Sequence, residues 1–496
     1  MRNFIEQHDK QLLRLLEILP GFVSWNLILF PYWGIFIIPD TVAYFILIFN
    51  IYWFYQSIQI AFTVVFSHLK IQAAMKYDWL KDLKNLPDSK KIKHIVIIPT
   101  YKEPLKILER TFESLIYQTL PTKQIIPVLA LEEREPEEDR KFKVNFLKEK
   151  YKDTFYEFII TVHKLSEGEV IGKSSNEKFA AIAAKEKLVD NEKIDINDLT
   201  ITSADADHKF HPNHYAALTY GFLKSKKRYH MFWQPAVLFY NNIWELPAIT
   251  RVPNTLMSIW NLSQLPRKDR LINGQNYSLS LKLLDEVGYW DADKIPEDWG
   301  IFFKSYYKSG GLVEVEPIYL PVYADAAFST SFFATLKNQY LQIQRWAWGV
   351  SDDPWIIKNY FLTKNINFFD KTLRLINVIW AHFFWPVNWF IITLGLSLPV
   401  FLNPAFGRTT LGYNVPKLSS FLLTIALVFL VIMIIVDSFY KPKRPATFPL
   451  WRMIIAPFEF VLMPVAGFFF SALPGLDAHT RLMLGKYIEY RVTEKV

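Results

Sequence analysis

Two long runs without a charged side chain, near the start of the sequence, constrain the fold more than any other feature. They cover residues 20–38 and 41–67, and each is long enough for an apolar helix to cross the roughly 30 Å hydrocarbon core of a bilayer. Because only two residues separate the runs, the two helices must form a hairpin. Basic residues flank the hairpin on both sides, so the positive-inside rule predicts that both flanks lie in the cytoplasm. Residues 1–67 are therefore predicted to be a transmembrane hairpin.

A second apolar block lies in residues 375–496. Within it, residues 375–407 carry no charged side chain but are too few for two complete spans. This run therefore predicts one span plus an interfacial helix. Residues 418–436 predict another span, and the run at 453–476, which contains Glu459 and three prolines, has the weakest pattern. We expect a protein with five spans in the plasma (inner) membrane.

Composition excludes several kinds of chemistry. The sequence contains no cysteine, so a disulfide framework, a thiolate metal site and a cysteine nucleophile are all excluded. The net charge of +8 comes from basic residues that cluster at helix ends, which predicts contact with membrane lipids and no nucleic-acid partner. Any chemistry must therefore use oxygen or nitrogen groups.

Between the two apolar blocks, residues 68–374 are mostly polar and numerous enough to bury a core of their own. Short apolar runs alternate here with segments of helical spacing. The pattern predicts strands at 94–99, 125–131, 158–162 and 199–203, and helices at 104–118 and from 176 onward. Such alternation is typical of a mainly parallel α/β sheet, in which ligands bind at the carboxyl ends of the strands.

An acidic pair, Asp205 and Asp207, follows the predicted strand at 199–203 directly. Two carboxylates one residue apart can hold a hard divalent cation that also binds a diphosphate. A solvated turn is the ordinary explanation for acids in a loop, but the position at a strand end favours the metal site. His208 is either a third ligand or a histidine that is hydrogen-bonded within the fold.

A second acidic pair, Glu297 and Asp298, precedes a predicted helix. Asp298 could simply cap that helix. Alternatively, it is a general base that removes the proton from a sugar hydroxyl as the oxygen attacks an anomeric carbon. The sequence alone leaves both roles open.

Three side chains further along share one helical face: Gln342, Arg345 and Trp346. The guanidinium can bind phosphate oxygens, and the indole offers an apolar face on which a sugar ring can pack. The alternative is an interfacial helix with aromatic anchors, because a membrane segment begins soon afterwards.

In this order, the motifs resemble those of membrane-integrated family-2 glycosyltransferases, the group that contains cellulose, chitin and hyaluronan synthases. The residues that match donor-binding positions of that family are Pro99, Thr100, Tyr101, Glu103, Glu132 or Glu133, Lys173, Asp205 and Arg345. Asp205 and Asp207 match the family's metal-binding DxD motif, with His208 beside it, and Glu297–Asp298 matches the pair that contains its catalytic base. The residues that resemble its acceptor-side elements are Gln342, Arg345, Trp346 and Gly274.

The resemblance implies an α/β GT-A-type (Rossmann-like) catalytic domain inserted between α-helical transmembrane segments. The domain would occupy residues 68–374, with a core at about 94–350, and would face the cytoplasm. The family's chemistry further implies a nucleotide-diphosphate sugar donor, most often a UDP-sugar, with Mg2+ or Mn2+ and inverting transfer to a hydroxyl of a glycan or lipid-linked acceptor.

Three functions remain open at this stage. The first is synthesis and export of a polysaccharide. The second is transfer of a single sugar to a polyprenyl phosphate or another lipid, and the third is an inactive scaffold or transporter that only binds sugar nucleotides. The loop at residues 273–276 lacks the cysteine of cellulose synthases, so cellulose is not the favoured product.

Overall fold

The computed structural model describes residues 2–395, 398–446, 449–491 and 493. At its centre is a seven-stranded sheet with the order β3-β2-β1-β4-β6-β5-β7. The strands are β1 (Lys93–Thr100), β2 (Ile125–Glu132), β3 (Ile159–His163), β4 (Leu199–Ser203), β5 (Met231–Leu238), β6 (Tyr277–Ser280) and β7 (Glu314–Tyr323).

The predicted strands at the beginning of the domain are confirmed, and so is their parallel pairing. β1 pairs in parallel with both β2 and β4, and β2 pairs in parallel with β3. β6 runs antiparallel to both of its neighbours, whereas β5 and β7 are parallel to each other. The sheet is thus mixed, and the carboxyl ends of β1, β2, β4 and β7 lie at one edge.

Two apolar layers cover the two faces of the sheet. Ile95 and Ile97 of β1 belong to one core, which packs against the alanine-rich helix Lys173–Lys185. Val96 and Ile98 belong to the other core, together with Phe112. Because successive side chains of a strand point to opposite faces, β1 has to be apolar throughout when both faces are covered. This explains why the sequence shows a short continuous apolar run there.

Two helices of the domain were predicted from the sequence, and both lie close to the predicted positions. The predicted helix at 104–118 is Leu105–Ile116, and the one predicted from 176 begins three residues earlier. The α-helices between the two apolar blocks are Trp79–Leu83, Leu105–Ile116, Glu137–Lys150, Lys173–Lys185, His214–Lys224, Ala248–Gln264, Leu281–Glu286, Asp298–Lys308, Phe332–Ala347 and Asp353–Leu362.

Four helices in the described part of the chain are long and apolar enough to cross a membrane: Asp9–Ile37, Pro39–Lys76, Thr410–Ser438 and Phe458–Met483. The helices Phe368–Phe384 and Asn388–Gly395 pass the same test together but are bent by 52°, and as one broken span they would make five. The hairpin predicted from the first two runs is confirmed as a pair of long helices. By length and composition, these helices are therefore able to span a membrane.

The run at 453–476, the weakest candidate in the sequence, lies largely within the helix Phe458–Met483. Its acid, Glu459, lies 3.4 Å from the guanidinium of Arg251, which belongs to the helix Ala248–Gln264 of the sheet-containing domain. An acid in an apolar segment is expensive unless it is paired. The sheet-containing domain therefore supplies the partner that this segment needs.

Candidate active site

Strand ends converge on one open cleft. Ten of the sequence-predicted site residues line it: Pro99, Thr100, Tyr101, Glu103, Glu132, Lys173, Asp205, Asp207, Gln342 and Arg345. The predicted residues that lie beside the cleft without lining it are Glu133, His208, Gly274, Glu297, Asp298 and Trp346.

The acidic pair after β4 is held in place by backbone and side-chain contacts. Oδ2 of Asp207 accepts the backbone N–H of Asp325 at 2.6 Å, and Asp207 is 1% exposed. Asp205, Asp207 and His208 can each offer one ligand atom such that all three atoms lie within 4.8 Å of one another. Carboxylate oxygens at this spacing fit a hard divalent cation such as Mg2+ or Mn2+.

His208 is fully buried beside this pair. Its Nδ1 accepts the backbone N–H of Asp205 at 3.0 Å, and the amide of Asn276 lies 3.1 Å from the same nitrogen. Because a backbone N–H is always a donor, Nδ1 carries no proton when the imidazole is neutral, and the proton then resides on Nε2. Nε2 is 3.7 Å from Oδ2 of Asp205. This arrangement favours a histidine that orients Asp205 over a third metal ligand.

Lys173, at the first turn of the helix Lys173–Lys185, joins the two acidic motifs. Its Nζ lies 2.9 Å from Oδ1 of Asp205, 3.0 Å from Oε1 of Glu297 and 3.8 Å from Oε1 of Glu177. Burial lowers the pKa of Lys173, but Asp205, Glu177 and Glu297 outweigh that effect and hold the pKa well above its ordinary value. The lysine is therefore a permanent cation at the floor of the cleft.

Asp298 starts the helix Asp298–Lys308, and its Oδ1 accepts the N–H of Trp299 at 2.8 Å. The carboxyl group is partly buried, and burial together with the charge of Glu297 raises its pKa to about 7. A carboxylate with such a pKa can accept a proton near neutral pH. Asp298 therefore both caps the start of this helix and has the raised pKa that a general base needs.

The loop after β1 forms one wall of the cleft. Thr100 donates its hydroxyl to Glu103 at 2.7 Å, and Glu103 also accepts the backbone N–H of Tyr101. The guanidinium of Arg134 lies 4.5 Å from the centre of the Tyr101 ring, and its Nε donates to Glu132 at 2.9 Å. These contacts fix an aromatic ring and a carboxylate next to each other.

The two acids that end β2 and follow it have different positions. Glu132 lines the cleft, whereas the side chain of Glu133 is half-exposed and 3.9 Å from Lys164. Of the two, Glu132 is thus the one that can contact a ligand in the cleft. The sequence could not separate them because neighbouring residues at a strand end alternate in direction.

The helix Phe332–Ala347 brings Gln342 and Arg345 into the cleft. Gln342 is 4% exposed, and its Oε1 has no hydrogen-bond partner among the described residues. A buried amide oxygen is costly without a partner, so it is available to a ligand hydroxyl. Trp346 packs on Phe239, with 5.4 Å between the ring centres, and Phe239 in turn lines the cleft.

Gly274 lies close to the cleft, where its N–H donates to Gln234 at 2.8 Å. A Cβ at this position would meet no atom within 4 Å. The next residue, Gln275, lines the cleft, and its carbonyl oxygen is 3.4 Å from Nζ of Lys173. The segment predicted as an acceptor-side loop therefore borders the site through Gln275.

A segment near residue 490 reaches the cleft, which sequence reasoning missed. Tyr490 and Thr493 line it. A Cβ on Gly172 would come within 3.1 Å of the Tyr490 ring, so glycine permits the close approach. The segment that leads there is tied to the first long helix, because Tyr487 donates to Glu17 at 2.9 Å and Arg14 donates to the carbonyl of Leu482 at 2.9 Å.

Asp325, just beyond β7, is a second residue that sequence reasoning missed. It lines the cleft, is 4% exposed and accepts a hydrogen bond from Arg110 at 2.6 Å on each carboxylate oxygen. Its backbone N–H is the donor that holds Asp207. Its position just after a strand could have identified it as a site residue. However, β7 contains two prolines and two glutamates, so its sequence did not predict a strand.

Comparisons with known proteins agree with the motifs. Residues 200–436 match the model of the family described as glycosyl transferase family group 2. No curated protein matches the sequence.

Several solved structures resemble this one. The mannosyltransferase PcManGT from Pyrobaculum calidifontis, in complex with GDP-Man and Mn2+, has 11% sequence identity and a TM-score of 0.42, and the match covers 80% of this chain and 100% of that one. TarS 1–349 from S. aureus, in complex with UDP-GlcNAc, has 12% identity and a TM-score of 0.37, with 81% and 93% covered.

The family match covers the segment that contains both acidic pairs and the Gln342–Trp346 motif. Together with the α/β sheet between apolar helices, it confirms the predicted class, a GT-A-type domain flanked by membrane-capable helices. The match to that family extends over residues 200–436 of this chain.

Proposed function

We propose that this protein is a membrane-bound inverting glycosyltransferase, which moves a sugar from a nucleotide-diphosphate sugar to an acceptor hydroxyl. The observation that carries the proposal is the position of Lys173, whose Nζ is 2.9 Å from Asp205 and 3.0 Å from Glu297. Lys173 thus connects Asp205, which belongs to the proposed metal-binding pair, with Glu297, which is next to the proposed base Asp298. Groups for leaving-group stabilisation and for proton removal thus lie side by side.

In this proposal the donor diphosphate lies between Asp205 and Arg345. Asp205 and Asp207 would hold Mg2+ or Mn2+, which would neutralise the diphosphate charge when bound. Lys173 and Arg345 supply further positive charge for the departing nucleoside diphosphate. Tyr101 and Glu132, fixed by Arg134, form the wall for the nucleoside, and a UDP-sugar is the donor we expect first.

Asp298 acts as the general base. As the acceptor oxygen attacks the anomeric carbon, its proton passes to the Asp298 carboxylate and the bond from that carbon to the diphosphate oxygen breaks. The electron pair of that bond leaves with the nucleoside diphosphate, so a single displacement inverts the anomeric configuration. Burial and Glu297 raise the pKa of Asp298 to about 7, which suits a base that works near neutral pH.

The acceptor is proposed to enter along Gln342 and Trp346. The helix that carries them is tied to the last membrane-capable helix, because Gln344 donates to Asp477. An acceptor that is a growing glycan or a lipid-linked sugar could therefore reach the cleft from the membrane side. Polysaccharide synthesis with export is the first form of the proposal, and a single transfer to a polyprenyl phosphate or another lipid is the second.

We further propose that the catalytic domain lies on the cytoplasmic side of the plasma (inner) membrane, which the basic residues around the hairpin support. The proposal keeps the domain limits predicted from the sequence: 1–67 for the hairpin, 68–374 for the catalytic domain and 375–496 for the second membrane block.

The test uses detergent-purified full-length protein and its Asp298→Asn variant. Both are incubated with labelled UDP- and GDP-sugars, Mg2+ or Mn2+, and membrane lipid, and released nucleoside diphosphate and product size are measured. Asp195→Asn, an exposed acid that caps a surface turn, is the matched control and should behave as wild type. Release by wild type and the control, with loss in Asp298→Asn, supports the proposal.

The size of the product then distinguishes polysaccharide synthesis, which gives a polymer, from single transfer, which gives a lipid that carries one sugar. Equal release by Asp298→Asn would exclude Asp298 as the base. Donor binding without turnover for every sugar and acceptor would instead support the third function, an inactive sugar-nucleotide-binding scaffold or transporter.

A further inference from the structure

Asp325 lies in the cleft beside the proposed metal-binding pair. Its backbone N–H donates to Oδ2 of Asp207 at 2.6 Å, so the two residues are fixed side by side. Among the described residues, however, the side chains whose ligand atoms lie within 4.8 Å of one another are Asp205, Asp207 and His208. The Asp325 carboxylate thus lines the cleft without belonging to the group that could hold a cation.

The ion pair between Asp325 and Arg110 accounts for this. Nη2 of Arg110 donates to both carboxylate oxygens of Asp325, each at 2.6 Å. The carboxylate is buried and the guanidinium is only partly exposed, so water screens the pair little. Because a carboxylate binds a metal through the same two oxygens, a guanidinium that occupies both of them competes directly with a cation.

The loop that carries the metal-binding pair is fixed on both sides of this ion pair. On one side is the helix of Arg110, in which the hydroxyl of Thr111 donates to the carbonyl of Ala206 at 2.6 Å. On the other side is the end of β7, where the backbone N–H groups of Lys209 and Tyr323 each donate to the other residue's carbonyl, at 2.8 and 3.0 Å. These bonds involve no charged group, so they persist when the charge of Arg110 is removed.

The number of carboxylates around a divalent cation determines the net charge there. With Asp205 and Asp207 alone, the two negative charges balance the cation, whereas a third carboxylate would leave an excess of negative charge. More carboxylates bind such a cation more tightly, but the excess charge repels an incoming diphosphate. A site that binds a cation and a diphosphate together therefore benefits when Asp325 is engaged elsewhere.

We propose that Arg110 is a positioning residue of the metal site: by binding both oxygens of Asp325, it keeps this carboxylate from joining Asp205 and Asp207 around the cation, so that the cation remains able to bind the donor diphosphate. This inference rests on the proposed function, because it assumes that Asp205 and Asp207 hold Mg2+ or Mn2+ for a diphosphate. Arg110 does not line the cleft and acts through Asp325.

Two binding measurements on the detergent-purified full-length protein test this inference. Mn2+ binding without nucleotide is followed by electron paramagnetic resonance, and binding of labelled UDP is measured at saturating Mn2+. Arg110→Met should bind Mn2+ about three- to tenfold more tightly, because Asp325 becomes available to the cation. The same variant should bind UDP more weakly by about the same factor, because the third carboxylate repels the diphosphate. Arg110→Lys keeps the positive charge and should stay close to wild type in both measurements.

Arg374→Met is the matched control. Arg374 pairs with Asp370 at 3.2 Å, and neither residue lines the cleft, so both affinities should equal those of wild type. The double variant Arg110→Met/Asp325→Asn removes the ion pair without freeing a carboxylate, and its Mn2+ affinity should lie within about twofold of wild type. If Arg110→Met does not fold, the double variant decides, because it leaves no buried charge without a partner.

An ion pair that only holds the loop together would give the opposite result. Mn2+ binding that is unchanged or weaker in Arg110→Met, or weaker in the double variant, overturns the inference. Wild type that binds no Mn2+ overturns it together with the metal part of the proposed function. Wild type that binds Mn2+ and UDP but transfers no sugar would contradict the proposed function alone, because neither binding measurement requires transfer. An active wild type whose Mn2+ affinity does not rise in Arg110→Met would contradict the inference alone.

Discussion

Tyr490 lies over the guanidinium group of Arg345, with 5.0 Å between the ring centre and the guanidinium carbon. The contact joins two residues that are 145 positions apart in the sequence. Both line the cleft. Tyr490 therefore forms part of the wall beside the guanidinium that is proposed to bind the diphosphate.

The first prediction concerns this contact. Tyr490→Ala should weaken donor use because it removes the aromatic face that orients Arg345, and a partly desolvated cation–π contact is worth about 1 to 2 kcal/mol. We expect kcat/KM for the donor to fall by about tenfold. Tyr490→Phe keeps the ring and is the matched control, which should retain most of the activity. Similar losses in both variants would show that the hydroxyl, not the ring, is what matters.

The second prediction concerns the lysine between the two acidic motifs. Lys173→Met should destabilise the fold strongly, because Asp205, Glu177 and Glu297 would face one another without a cation. Removing one partner of a buried charge cluster typically costs about 3 to 5 kcal/mol. Thermal unfolding of the purified protein measures the loss.

Glu177→Gln tests the cause of that loss. Glu177 is fully buried, accepts the hydroxyl of Ser203 at 2.7 Å and has a pKa raised by burial. The double variant Lys173→Met/Glu177→Gln should therefore recover part of the stability, since one acid no longer needs neutralising. No recovery would mean that lost packing of the lysine stem dominates.

Many residues of this site could be predicted from the sequence, because the carboxyl ends of parallel strands lie at the same edge of the sheet. Thr100, Glu132 and Asp205 each follow an apolar run, and all three line the cleft. Asp325 obeys the same rule, but Pro317 and Pro321 obscured its strand. Tyr490 had no local signal, because its place depends on how the last helix packs against the first.

Roles within a motif were harder to predict than its position. Glu132 and Glu133 look equivalent in sequence, and only the direction of each side chain separates them. Asp352 and His382 are joined through Asp353 and Trp299, contacts that span three separate elements. No periodicity encodes such a cluster, since each residue fits its own helix equally well without the others.

The third prediction separates the possible metal ligands. Asp205→Asn and Asp207→Asn should each weaken Mn2+ binding in the presence of UDP by at least about a hundredfold, because a neutral amide replaces a charged ligand. His208→Ala should weaken it less, by about tenfold, because the imidazole accepts the backbone N–H of Asp205 at 3.0 Å and orients that residue without binding the metal itself. Mn2+ binding is measured by electron paramagnetic resonance. An equal loss in His208→Ala would instead establish it as a third ligand.

The fourth prediction is a pH dependence of stability that originates from Asp352. Burial raises the pKa of this group from 3.8 to about 7. Between those values the folded protein holds a proton that the unfolded chain releases, so the contribution of this group to folding falls as pH rises. Across the whole window the loss from one such group is about 4 kcal/mol.

Asp352→Asn removes the titrating group and should flatten this slope. The free energy of unfolding, measured at several values between pH 4 and 8, should therefore differ most between wild type and variant at the alkaline end, where the variant gains relative stability. Asp195→Asn is again the control, because its exposed side chain should leave the slope as it is in wild type. A wild-type slope that survives in Asp352→Asn would place the responsible proton on another buried acid.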